Sequence, residues 1–252
     1  MHFLFRSRDP EPAPPVEPVP TVFPKIDGAD IAAVFVGKRV AGDFYDSLRV
    51  SSERVLFGLL DVSGRREDNR SVLIAAQNIF RSVGTELFSK PDINEPDAMI
   101  ELSLRINRTV IEVSSGVRSC PAFISCYHEK FGTLCYTNAG HTPGLVRDHT
   151  GIVELDSTGL PLGLFSHATP DARIVALEKG ASLLLVSRGV ISCEGRASLG
   201  EFGLDRVKQD FADSVPGSAE SLCSSILNSV NHFGGEAPIC DDRTALALLR
   251  TS

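Results

Sequence analysis

The sequence predicts an α+β fold, with strands and helices segregated into layers rather than alternating as βαβ units. Three observations carry this. Short apolar or alternating runs of strand length occupy two parts of the chain, a pair of helix-periodic blocks follows each part, and one last apolar run closes the sequence. At 252 residues and 42% hydrophobic content, one large domain can bury a full core.

Taken in order, the chain opens on a segment of different composition. Between Asp9 and Pro24 it is dominated by Pro with Glu, Val and Ala, which favours extended polyproline conformations and offers no face to bury. Residues 1–25 are therefore expected to form a disordered Pro-rich tail, and residues 26–252 the folded domain. Apolar runs at 31–36 and 55–60 read as strands, separated by the polar stretch from Gly42 to Glu53. Val72, Ala76, Ile79, Phe80, Val83 and Leu87 recur at helical spacing, as do Met99, Leu102, Ile106, Val110 and Val113 after Pro96. These are two long amphipathic helices. Runs at 122–127, 133–137, 144–147, 152–155, 173–177 and 181–186 read as an antiparallel meander, joined by turns such as Asp148-His-Thr-Gly151. Helical spacing resumes at 198–211 and 218–231, and a strand at 244–249 ends the pattern.

Charge and cysteine usage narrow the function. A net charge of -7 argues against a nucleic-acid surface, which needs clustered Lys and Arg to displace counterions. The six cysteines are scattered through apolar runs without a C-x-x-C pair, which is neither a zinc pattern nor a disulfide framework. The opening Met1-His-Phe-Leu-Phe-Arg6 is too short for a signal sequence, and no later run approaches ~18 uninterrupted apolar residues. A cytoplasmic protein with a protein or small-molecule partner, and no membrane or nucleic-acid contact, is the expectation.

Chemistry is suggested by acidic residues at the ends of predicted strands: Asp43 and Asp46, then Asp61, then the pair Asp241 and Asp242. Carboxylates held beside rigid strands are how hard divalent cations are commonly gripped, although any one Asp is more often a turn former or helix cap. Seven motifs go further: Gly42-Asp-Phe-Tyr-Asp46, Asp61-Val-Ser-Gly64, Asn138-Ala-Gly-His-Thr-Pro143, Gly159-Leu-Pro-Leu-Gly163, Leu183-Leu-Leu-Val-Ser-Arg-Gly-Val190, Gly200-Glu-Phe-Gly203 and Asp241-Asp-Arg-Thr244. In content and order this series resembles the stage II sporulation E-like branch of the metal-dependent protein phosphatase (PPM) superfamily. The resemblance runs from about Val36 to Arg250. It implies a four-layer α-β-β-α sandwich of two antiparallel sheets flanked by helix pairs. It also implies two Mn²⁺ or Mg²⁺ ions activating a water that attacks phosphoserine or phosphothreonine. On that likeness Asp61 would bridge both ions, Asp43 and the Val62 carbonyl would serve the second, and Asp241 the first. The implied partner is a phosphorylated regulatory protein such as an anti-anti-sigma factor, with a homodimer left open.

Two departures qualify the likeness. Where the family has Thr-Asp-Gly, this chain has Ser187-Arg188-Gly189, so a cation stands at a ligand position. The expectation is that Arg188 turns inward and forks between Asp61 and Asp241 in place of one ion, leaving one metal or none. Where the family continues Gly-His-Gly, this chain has Gly64-Arg65-Arg66, and Arg65 and Arg66 could contact a phosphate or an acidic partner. A catalytically inactive, partner-binding pseudophosphatase is the alternative to an enzyme. His141 is expected to be structural, and Cys240 an ordinary buried thiol.

Overall fold

The computed structural model describes residues 17–37, 42–116, 118–195, 200–235 and 241–252. Ten strands and five helices follow in the order β1 (Ala29–Val36), β2 (Gly42–Arg49), β3 (Arg54–Val62), α1 (Arg66–Phe88), α2 (Glu95–Ser114), β4 (Ala122–His128), β5 (Thr133–Ala139), β6 (Gly144–Asp148), β7 (Gly151–Leu155), β8 (Arg173–Ala176), β9 (Ser182–Val186), α3 (Arg188–Ile191), α4 (Gly203–Asp213), α5 (Ala219–Gly234) and β10 (Arg243–Arg250). Two five-stranded sheets result, ordered β1-β10-β9-β6-β7 and β2-β3-β4-β5-β8. Every strand pairing is antiparallel.

The layers follow from side-chain alternation, because successive residues of a strand point to opposite faces. Val55, Phe57 and Leu59 of β3 meet Leu183, Leu185, Leu246 and Leu248 between the sheets. Leu56, Leu60 and Val62 point the other way, onto Leu73, Phe80, Leu102 and Ile106 of α1 and α2. On the far side, Leu184, Val186, Ala245 and Ala247 pack on Phe211, Leu222, Ile226 and Val230. Central strands buried on both faces must be apolar at every position, which is why β3, β9 and β10 read as unbroken apolar runs. The four-layer sandwich is thus the architecture. Among the described residues, no helix is long and apolar enough to cross a membrane.

Four expectations change. The polar stretch before β3 is itself a strand, β2, whose Asp46 is 1% exposed yet fully answered by Arg81 at 2.7 and 2.9 Å and Gln77 at 3.1 Å. Its polarity serves buried hydrogen bonds rather than solvent. The expected meander is divided between sheets, β4, β5 and β8 in one and β6, β7 and β9 in the other. Helix α4 begins at Gly203, later than the periodicity suggests, and residues 196–199 lie outside the described residues.

The tail boundary also moves. Residues 1–16 lie outside the described residues, but residues 17–25 are docked on the domain. The Val19 N–H donates to Gln77 Oε1 at 2.7 Å and Gln77 Nε2 donates to the Val19 carbonyl at 2.8 Å. Thr21 Oγ1 donates to the Tyr45 carbonyl at 2.8 Å, Phe23 stacks on Tyr45, and Glu17 pairs with Arg70. Proline removes regular ladders without removing the chain's other donors and acceptors, so an extended strap can still bind through side chains. A cavity of about 200 Å³ opens beside the strap, and Asp43 forms part of its wall.

Candidate active site

Asp43 and Asp61 stand directly opposite one another in the β2–β3 ladder. Beyond Asp61 the strand is fixed by bonds from the Asp61 N–H to the Pro121 carbonyl and from the Ser63 N–H to the Ser119 carbonyl, both 2.9 Å. Gly64 then turns the chain into α1 with a φ of +102°, in a space where a Cβ would lie 2.3 Å from Arg118 Nη1. The positive φ is what favours glycine there, since the arginine tip can shift. From the other sheet come the end of β9 and the start of β10, tied by Ser187 N–H to the Thr244 carbonyl at 2.9 Å and Thr244 N–H to Ser187 Oγ at 3.0 Å. A Cβ on Gly189 would lie 2.0 Å from the Asp242 carbonyl, so this glycine lets Ser187-Arg188-Gly189 close on Asp241 and Asp242.

The carboxylates carry unequal partners. Asp43 is 5% exposed; its Oδ2 accepts from Thr244 Oγ1 at 2.7 Å, whereas its Oδ1 has no partner among the described residues. Burial first, and then the Asp61 charge, hold Asp43 well above the ordinary aspartate value of 3.8, against the pull of the Ser187 and Thr244 hydroxyls. Asp61 is likewise raised, by burial and then by Asp241, while the Arg188 main-chain N–H and charge oppose the shift. A buried orphan oxygen facing a second acidic group is costly unless a cation answers it.

Arg188 does this only weakly, and the expected inward fork is corrected. Its main-chain N–H and its charge both pull the Asp61 pKa down, but its side chain is 75% exposed and, among the described residues, comes within ion-pair reach of Asp241 alone, Nη2 to Oδ2 3.9 Å. The residue opens the single-turn helix α3, so its N–H needs no intrahelical partner, and its long side chain leaves the site. Arg65 is the exposed residue preceding α1. The side chain of Arg66 and the whole of Cys240 lie outside the described residues. His141 is 5% exposed, its main-chain N–H donating to Asn138 Oδ1 at 2.8 Å and its Nδ1 lying 3.1 Å from the Thr142 carbonyl.

Val62 is 1% exposed. Its carbonyl accepts from Asn69 Nδ2 at 3.2 Å, and the same nitrogen is 3.0 Å from the Ser63 carbonyl. Asn69 and Arg118 are the site residues that motif reading passes over, while Ser187 and Thr244 lie inside quoted motifs to which it assigned no role for them. An asparagine in the first turn of a long helix was the available signal, since that turn must lie beside the loop leading into it.

Asp43, Asp61 and the Val62 carbonyl form a hard-oxygen donor set, which suits Mg²⁺ or Mn²⁺, ions that commonly take one or two carboxylates and keep water. The unanswered Asp43 Oδ1 is where such a charge is called for. Among the described residues, however, no three His, Cys, Asp or Glu side chains group closely enough to hold an ion unaided. Asp241 lies just before β10 of the opposite sheet, its Oδ1 accepting from the Asp242 N–H at 2.9 Å.

Sequence comparison decides the family. The profile of Stage II sporulation protein E (SpoIIE) matches residues 51–251. The chain belongs to the SpoIIE family. Phosphoserine phosphatase RsbU of Bacillus subtilis (strain 168) is 24% identical over 235 residues, covering 91% of this chain; the chain spans 66% of that relative's length. The SiaA-PP2C domain of Pseudomonas aeruginosa has a TM-score of 0.72 at 17% identity, covering 88% of this chain and 85% of that one. The RsbU and RsbW domains of Rv1364c from Mycobacterium tuberculosis give 0.70 at 23% identity, covering 89% and 60%. As a SpoIIE-family chain with a PPM fold, this protein keeps the family's sandwich and carries an arginine at position 188.

Proposed function

We propose that this SpoIIE-family chain is a Mn²⁺- or Mg²⁺-dependent protein serine/threonine phosphatase domain with a weakened metal site, acting in the cytoplasm on a phosphorylated regulatory protein of the anti-anti-sigma type. The observation that carries it is the in-register Asp43–Asp61 pair with its buried, unanswered oxygen. A divalent ion held by Asp43, Asp61 and the Val62 carbonyl would supply an acidified water and neutralise charge on phosphoryl oxygens. On this reading Arg188, outward but beside Asp241, would fork onto the oxygens of an incoming phosphate monoester. The ladder and the Thr244 bond keep the two aspartates from moving as charge changes, so little reorganisation accompanies reaction.

A second reading, a partner-binding pseudophosphatase, is favoured by one feature: the position that would supply a further carboxylate carries a guanidinium turned to solvent. Calorimetry with Mn²⁺ separates the two. We expect one weak site, lost in Asp43→Ala and in Asp61→Ala. Arg188→Asp should tighten binding and raise hydrolysis of a phosphoserine peptide by about ten-fold, which asks only ~1.4 kcal/mol of the barrier. Two tight wild-type sites, with turnover unchanged in Arg188→Asp, would overturn the weakened-site reading. No Mn²⁺ binding at all would favour the pseudophosphatase.

A further inference from the structure

We propose that Asn69 is a positioning residue that orients the Val62 carbonyl toward the ion site. This rests on reading that site as one for a divalent ion. Asn69 is 0% exposed on the first turn of α1, with its amide nitrogen 3.2 Å from the Val62 carbonyl and 3.0 Å from the Ser63 carbonyl. Two acceptors on one side fix which amide atom is nitrogen, because an oxygen there would face two oxygens. The NH₂ group carries two hydrogens, so each carbonyl can take one.

The other end of the same side chain is unanswered: Asn69 Oδ1 is buried without a partner among the described residues. An apolar residue of similar shape would avoid that loss, so folding alone is a poor reason for asparagine here. Its donors are what the position uses.

Those donors act where the chain passes from strand β3 into helix α1. After Val62 the chain leaves the ladder, reaches Gly64 at φ +102° and enters α1, while Arg65 and Arg66 replace the Gly-His-Gly ending that the family likeness leads one to expect. Ser63 is tethered through Ser119, and Arg118 Nη1 lies 3.4 Å from the Ser63 carbonyl. Among the described residues, Asn69 is the side chain that donates to the Val62 oxygen itself. A carbonyl oxygen has two lone pairs, so an amide can hold it from the helix side without excluding a cation from another. By this route the direction of a main-chain ligand is set from the first turn of α1.

The test uses the full chain with Asn69→Leu, close in volume and without donors, and Asn69→Ala, which adds no bulk. Mn²⁺ affinity by calorimetry is measured beside melting temperature in chelator. Loss of Mn²⁺ affinity by about ten-fold in a folded variant, with the chelator melting temperature shifted by only a few degrees, is expected. The Val62 and Ser63 carbonyl ¹³C resonances of the metal-free variants should move as their hydrogen bonds are lost. A folded variant with Mn²⁺ affinity within about two-fold of wild type overturns the proposal, as does failure of both variants to fold, which assigns Asn69 to folding. Wild-type protein that binds no Mn²⁺ removes the metal reading and this inference together, whereas persistent binding in the variants removes this inference alone.

Discussion

His141 lies in the Asn138-Ala-Gly-His141 turn, where a histidine invites an acid–base role, but its surroundings settle on another one. Burial lowers its pKa from 6.5 to about 4, only partly offset by the Thr142 main-chain bond, and its Nε2 has no partner among the described residues. The imidazole is neutral at physiological pH and holds the turn. Because the folded pKa lies below the unfolded one, the native state binds fewer protons between about pH 6.5 and pH 4. Stability is therefore present above 6.5 and lost as pH falls through that window, by at most about 3 kcal/mol. His141→Gln should flatten this limb: between pH 7 and pH 5 in chelator, wild type should lose more melting temperature than the variant. Equal losses would show that His141 does not carry the acid sensitivity. The sequence made Asp43, Asp61 and Asp241 visible because each adjoins a strand in a recognisable motif. It left the direction of Arg188 open, since a side chain's rotamer depends on neighbours that spacing does not reveal. Asn69 was illegible for a similar reason: its partners are main-chain carbonyls, which every residue type supplies.

Whole elements were read from periodicity where one face is apolar, and missed where polar atoms are satisfied internally. Strand β2 is the clearest case. Its Asp43, Asp46 and Ser47 are buried, and no hydropathy pattern distinguishes a hydrogen-bonded interior aspartate from an exposed one. The strap at 17–25 was misjudged because Pro-rich composition reports the lack of regular structure, not the lack of contacts. Its docking is built from the reciprocal Val19–Gln77 bonds, the Thr21 bond to Tyr45 and the Phe23–Tyr45 stack. Each net hydrogen bond contributes about 0.5–1.5 kcal/mol, and Gln77, 2% exposed, would be left partly unanswered if the strap went. Deleting residues 1–24 should therefore lower the melting temperature by about 5 °C or more, since about 2–4 °C accompanies each kcal/mol in a domain of this size. The single change Thr21→Val should reproduce a smaller part of the loss. A truncated protein melting within a degree of the full chain would show that the strap adds nothing to stability.

The four layers were foreseeable from strands, helices and family likeness; the assignment of strands to sheets was not. A hairpin within one sheet and a step across to the other present the same alternation, so β6 and β7 looked like a continuation of β4 and β5. That partition matters because the site lies on the seam. Asp43 and Asp61 belong to one sheet, Thr244 and the Ser187 turn to the other, and the Thr244–Asp43 bond joins residues 201 apart in sequence. If this bond stitches the layers, losing it should be felt on both sides. Thr244→Val keeps the shape and removes the hydroxyl that donates to the buried Asp43 Oδ2. The cost should be about 1–3 kcal/mol, read as a fall of several degrees in chelator. Hydrogen exchange should then lose protection in β2 and β3 as well as in β10, because stability at a shared seam is a property of both sheets. Mn²⁺ should recover part of the loss by answering the Asp43 charge, through ordinary linkage of ligand binding to the folded state. Exchange that quickens in β10 alone, with β2 and β3 untouched, would mean that the sheets are held together by their apolar faces and that the polar seam serves only the site.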